Sequence, residues 1–80
     1  MDGTVKNSVE LGALIRRRRE ELRVTQKDLA LSCGTGLRFI IELEKGKATC
    51  QLGKALSVLS ALGLVLSVRS SEPELPADIK

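Results

Sequence analysis

Glycines at positions 34, 46 and 63 each close an apolar-periodic stretch, and they cut the chain into short helical pieces. The stretch 26–33 allows only about two turns, whereas an isolated helix needs on the order of 12–15 residues to persist in water. Such a piece exists only if other helices pack against it, so the sequence predicts a small helical bundle. The chain has 80 residues, enough for one domain. A domain of this size buries only about 60% of the surface its unfolded chain exposes. Pairing with a second copy is therefore the expected extra support.

The apolar spacing sets out four helices. Ser8 is positioned to cap the first, with Glu10 in its opening turn. Leu11, Leu14, Ile15 and Leu22 then share one face, and the helix ends near Leu22 or Arg23. Thr25, with Asp28 three residues on, is a capping-box-like start for a second helix carrying Leu29 and Ala30 inward and stopping at Gly34. Thr35 and Gly36 lead into a third, LRFIIELEK, with Ile40 and Leu43 facing inward. A fourth is expected to open at Thr49 or Cys50 and to present Leu52, Leu56 and Leu59 in one stripe, with Val58 and Leu62 flanking.

After Gly63 the pattern changes. In LVLSVR (64–69), Leu64, Leu66 and Val68 alternate with Val65, Ser67 and Arg69, which reads as one strand. A lone strand needs a partner for its backbone groups, and the simplest is the same strand of a second copy across a two-fold axis. Leu64, Val65, Leu66, Ser67 and Val68 are the expected dimerisation residues. Residues 1–7 read as a flexible lead-in, 8–63 as the helical domain and 70–80, with both prolines, as a disordered tail.

Composition narrows the chemistry. There is no His, Trp or Tyr, and Phe39 is the single aromatic residue. Imidazole bases and His-ligated zinc are excluded, and two cysteines cannot make a four-thiolate site. No cofactor and no metal are expected. Glu42 and Glu44 are two apart on a helix and diverge, so they form no convergent carboxylate pair. With no Cys–base pair and no Gly-rich phosphate loop, the chain does not read as an enzyme. No stretch reaches ~18 uninterrupted apolar residues, and the N-terminus lacks a secretory apolar core, so a cytoplasmic location with reduced, inert Cys33 and Cys50 is expected. The net charge is +3, but residues 1–69 hold 12 Lys/Arg against 7 Asp/Glu while 70–80 hold 1 against 3. A basic body of this kind favours polyanions.

Helices 26–33 and 37–44, joined by Gly34-Thr35-Gly36, make a helix-turn-helix. The second of them fills its inner face with Ile40 and Leu43 and turns Leu37, Arg38 and Glu42 outward, the arrangement of a helix whose N-terminal half enters a major groove. The run VTQKDLA (24–30), then Gly34, IELEKGK (41–47) and ALSVLSALGL (55–64), resembles the Cro/C1-type (XRE) helix-turn-helix domain over about residues 9–64. The terminal strand after ALGL is similar to that of HipB-type antitoxins.

The resemblance implies an all-α, lambda-repressor-like bundle of four helices plus one C-terminal β-strand paired in a homodimer. It implies a sequence-specific repressor of a palindromic double-stranded operator, autoregulating, and the antitoxin of a HipA-type kinase toxin. The implied DNA-contacting set is Gln26, Thr35, Gly36, Leu37, Arg38, Glu42, Lys45 and Lys47. Gln26 matches a phosphate-contacting glutamine, and its amide beside free helix N-terminal amides makes a sound anion site. Leu37 and Arg38 match base-reading positions. Arg38 can fork onto guanine O6 and N7, whereas Leu37, where relatives often carry amides or hydroxyls, offers only apolar contact. Glu42 can accept from cytosine N4 or repel phosphate and enforce register. Lys45 and Lys47 match phosphate contacts and also suit the negative end of the third helix.

Among Arg16–Arg19, four consecutive cations cover all sides of a helix and cannot form one patch. Arg19 shares the stripe of Ile15 and Leu22, and a near-buried Arg needs an anion. The resemblance supplies Glu44 as its structural partner. Arg16, Arg17 and Arg18 read as a solvated face. An alternative function also stands: a protein-interaction module of the same fold, docking through an apolar patch of Leu37, Phe39 and Ile41.

Overall fold

Side-chain and glycine punctuation sets most of the helix boundaries. The computed structural model describes residues 3–76, so the first two residues of the expected flexible lead-in and the last four of the expected tail lie outside the described residues. It contains α1 (Ser8–Glu21), α2 (Gln26–Cys33), α3 (Leu37–Glu44) and α4 (Leu52–Ala61). Thr25 caps α2, its hydroxyl accepting from the Asp28 amide at 3.0 Å, and Gly34 ends it in the left-handed region at φ +67°. That conformation is open to glycine without the steric penalty an L side chain meets.

Two boundaries differ from the sequence expectation. Asn7, not Ser8, caps α1: its side-chain oxygen accepts from the Glu10 amide at 2.8 Å, while the Glu10 carboxylate accepts from the Lys6 amide at 2.7 Å. Ser8 is the first helical residue, and its hydroxyl donates across the molecule to the Gly46 carbonyl at 2.9 Å. Residue α4 starts from is Leu52, after Gln51, rather than Thr49 or Cys50.

The core consists of Ile15, Leu29, Ala30, Ile40, Leu43, Ala55, Val58, Leu59 and Leu62, all buried. Leu11, Val24, Cys33, Phe39, Cys50 and Leu64 pack around its edge. The inward stripe of α4 is thus 55, 58, 59 and 62, an i, i+3, i+4, i+7 pattern. The expected stripe through Leu52 and Leu56 is out of phase: Leu52 is 71% exposed and Leu56 is exposed as well. Leucine size misled the reading, because the inward position one turn into α4 is the small Ala55. Leu22 likewise lies exposed, beyond the last turn of α1.

Among the described residues there is no strand; 64–69 run on from α4 as non-helical chain. Val65, Leu66 and Val68 are exposed there. The first helix, α1, lies across the end of α3, and Gly12 is the point of contact. A Cβ built on Gly12 would collide with the Leu43 carbonyl oxygen and come within 2.7 Å of the Glu44 carbonyl oxygen. Both are backbone atoms and cannot rotate away. Gly in a helix interior costs up to about 1 kcal/mol relative to Ala, so its presence here reflects packing rather than helix preference.

Gly12→Ala should therefore destabilise the fold by about 3 kcal/mol, despite improving helix propensity. Chemical denaturation checks this, and an unchanged or raised midpoint would contradict the close approach of α1 to α3.

Candidate nucleic-acid interface

One buried carboxylate organises the helix-turn-helix. Glu44, at the end of α3, receives Arg19 Nε at 2.7 Å on Oε2 and Arg19 Nη2 at 3.1 Å on Oε1. The Arg19 and Glu44 side chains are only 11% and 3% exposed. Gln26 Nε2 adds a third bond, to Glu44 Oε1 at 3.0 Å. Arg19 Nη1 donates to the Val24 carbonyl at 2.9 Å, which fixes the α1–α2 turn. The hydrogen bond to Glu44 raises the Arg19 pKa above its ordinary value, against the opposing effect of burial. Four parts of the chain (α1, the α1–α2 turn, the start of α2 and the end of α3) are thereby tied to one ion pair.

Gln26 thus has one amide hydrogen engaged with Glu44. A primary amide carries two, so its second hydrogen remains to be given. The Gln26 head is held at the N-terminus of α2 by the same carboxylate that Arg19 clamps.

On α3, Leu37 and Arg38 open the helix, and Arg38 is 90% exposed. Arg38, Glu42 and Lys45 repeat at i, i+4, i+7 and so share a face. Glu42 Oε2 lies 3.8 Å from Arg38 Nε and 3.3 Å from Lys47 Nζ. The Lys47 amide also donates to the Glu42 carbonyl at 3.1 Å, closing the turn after α3. Arg38, Glu42 and Lys47 are thus gathered around a single oxygen. Lys45 is exposed at the C-cap of α3. Gly36 is the exposed N-cap, without a side-chain cap bond. Thr35 differs from the others: its amide is taken by the Ala30 carbonyl at 3.0 Å, and its hydroxyl oxygen is buried without a hydrogen-bond partner. These two polar groups are turned into the fold, while the residue as a whole is half-buried.

The four helix starts fall into two classes. Those of α1 and α2 carry side-chain caps and an acid in the first turn, Glu10 and Asp28. Those of α3 and α4 carry neither; at α3 the Phe39 amide donates to the Gly36 carbonyl at 3.2 Å, which leaves the Leu37 and Arg38 amides, with the first amides of α4, for an external anion. Lys54, in the first turn of α4, sits at the end of the helix dipole that disfavours a cation. Its ammonium lies 5.7 Å from the centroid of the Phe39 ring. Sequence reasoning passed over Lys54, although a lone cation in an otherwise uncharged first turn was a visible signal.

Arg18 was also missed. It does not belong to a purely solvated face: its Nε donates to the Leu62 carbonyl at 3.0 Å, joining α1 to the end of α4. Arg16 pairs with Glu20 along the exposed side of α1. Phe39 packs at the core edge and Ile41 is half-buried, so Leu37 is the exposed member of the apolar trio. Cys33 and Cys50 are free thiols, and burial pushes the Cys33 thiol up. Among the described residues no three His, Cys, Asp or Glu side chains are grouped to hold a metal, and no helix is long and apolar enough to cross a membrane.

Comparison with known proteins fits this architecture. No family model matches the chain. It is 45% identical over 64 residues to the uncharacterised HTH-type transcriptional regulator y4mF of Sinorhizobium fredii, a match covering 80% of this chain and 84% of that protein. Its fold is similar to HipB in a complex with an O4 20mer, with a TM-score of 0.80 at 18% identity over 89% of this chain and all of the other. It is equally similar to a chain of the HipA–HipB–O2–O3 complex, with TM-score 0.80, 18% identity and the same coverage.

Replacing Glu44 with Gln should destabilise the fold by about 3 kcal/mol, because it leaves the Arg19 charge buried and unpaired. Glu20→Gln, which breaks the exposed Arg16 pair, should change stability by less than about 1 kcal/mol. Urea denaturation of both variants tests the contrast, and equal effects would contradict the organising role of the buried pair.

Proposed function

The chain belongs to the HTH-type transcriptional regulators, and on that premise we propose that it is a dimeric repressor that reads a palindromic DNA operator through the N-terminal half of α3. The observation that carries the reading is the outward start of α3: Arg38 stands 90% exposed beside Leu37, on a helix whose opposite side is locked into the core by Ile40 and Leu43. A rigid helix with an exposed guanidinium at its leading end, paired only with the part-exposed Glu42 carboxylate, has the geometry for guanine O6 and N7 in the major groove. Gln26, the uncapped starts of α3 and α4, Lys45, Lys47 and Lys54 supply hydrogen-bond donors and charge suited to phosphate, which positions the helix without reading sequence. Glu42 is placed to meet a base edge, and Gly36 allows the backbone close approach. Thr35 contributes to this site through the turn it shapes.

In this reading residues 8–63 form the reading domain and 64–69 the dimerisation strand, with 70–80 a tail beyond it. Leu64, Val65, Leu66, Ser67 and Val68 pair with the same residues of a second copy. Three apolar side chains exposed on a segment without a ladder support that pairing, as does a groove beside it lined by Val5, Leu11, Leu14 and Leu64. The likeness in fold to HipB, solved with HipA and DNA, supports a role as the autoregulating antitoxin of a HipA-type kinase toxin in the cytoplasm.

Selection of bound duplexes from a random library tests the function. The dimer should enrich a palindrome whose half-sites are about 34 Å apart, one DNA turn. Arg38→Ala should lower affinity for that duplex by about tenfold or more and relax discrimination at one base pair per half-site, whereas Lys47→Ala should weaken all duplexes alike and flatten the salt dependence. An unchanged operator-to-random ratio in Arg38→Ala would place the reading helix elsewhere.

A further inference from the structure

Resting on the DNA-reading function above, we propose that Glu42 sets the specificity of α3 by pairing with Arg38 and Lys47 and giving them up at least cost to a duplex that offers its carboxylate a donor. Both cations converge on the same oxygen, Oε2, with Lys47 Nζ at 3.3 Å and Arg38 Nε at 3.8 Å. Lys47 is tied to Glu42 a second time through its backbone amide. The Glu42 side chain is about one-third exposed, so the carboxylate is supported by the helix while still facing outward.

Binding to DNA draws Lys47 to phosphate and Arg38 to a base edge, both away from this oxygen. Glu42 is then left as an unpaired anion close to a polyanion, a penalty that applies to every sequence. In the major groove only the cytosine N4 and adenine N6 amines offer donors to a carboxylate. A register that sets one of these against Glu42, with guanine against Arg38, relieves the penalty, and all other registers keep it. Glu42 therefore weakens wrong duplexes more than the right one, which is how an unfavourable contact raises specificity. It acts both on the bases and, as a positioning residue, on the resting direction of Arg38.

The test compares the wild-type protein with Glu42→Gln on two probes across a salt series: the duplex that wild type enriches from a random library, and a random-sequence duplex of equal length. Glu42→Gln should bind the random duplex about fivefold tighter at low salt, with a salt dependence steeper by up to about one counterion. Its operator-to-random ratio should fall by about threefold or more. Glu20→Gln is the control, since it makes the same change in net charge on the exposed side of α1 and should leave the ratio unchanged. Thermal unfolding of each variant keeps folding separate from binding, and the Gln variant, which preserves shape at a part-exposed site, should melt close to wild type. If Glu42→Gln keeps the wild-type ratio, or if Glu20→Gln lowers it equally, the role of Glu42 is overturned while the DNA-reading function stands. A wild-type protein that enriches no duplex overturns both.

Discussion

The Arg19–Glu44 ion pair is the constraint on which the helix-turn-helix depends. A carboxylate whose side chain is only 3% exposed must have its charge and lone pairs met, and two guanidinium bonds with the Gln26 amide meet them. Those same bonds fix where α3 ends relative to α1 and where α2 begins. The pair belongs to a longer seam. Ser8, Gly12, Ile15 and Arg19 fall at intervals of three or four along α1, and each engages the far side of the molecule: the Gly46 carbonyl, the end of α3, the core and Glu44. One stripe of α1 therefore holds the C-terminal end of α3, while the N-terminal end projects with its amides uncapped.

This division is suited to recognition. Replacing a buried ion pair by apolar residues is often neutral for stability, so the pair is better understood as a positioning device than as a store of stability. It fixes one end of a two-turn helix that has little stability of its own. The other end, anchored through Ile40 in the core, is then free to present Leu37 and Arg38. Binding sites held on rigid elements by an independent scaffold lose less order when they engage a partner.

How much of this was legible follows from the range of each interaction. Thr25 and Gly34 act within one turn of their own position, and the boundaries of α2 and α3 were readable from them. Ile40 and Leu43 were legible as inward residues because the hydrophobic period of a short helix leaves few choices. The phase of α4 was not, since the reading favoured large residues and the packed position is Ala55. Nor were Ser8 or Arg18, whose partners are the Gly46 and Leu62 carbonyls 38 and 44 residues away. Gly12 gave a faint signal, an isolated glycine inside a helical pattern, but the backbone it approaches belongs to another helix. For the candidate site, helical spacing marked out Arg38 and Glu42 as outward, and the resemblance to Cro/C1-type domains marked out Gln26 and Lys47. The internal pairing that ties Gln26 to Glu44, and Arg38 and Lys47 to Glu42, could be seen only in three dimensions.

We propose that DNA binds the face built by the starts of α2, α3 and α4. Amide chemical-shift mapping of the full chain with its selected duplex at moderate salt tests it most directly. The large shifts should fall on residues 26, 36–38, 42, 45–47 and 52–54, with the groove residues Val5, Leu11 and Leu14 unmoved. Shifts concentrated on that groove and on 64–68, with α3 unmoved, would contradict it.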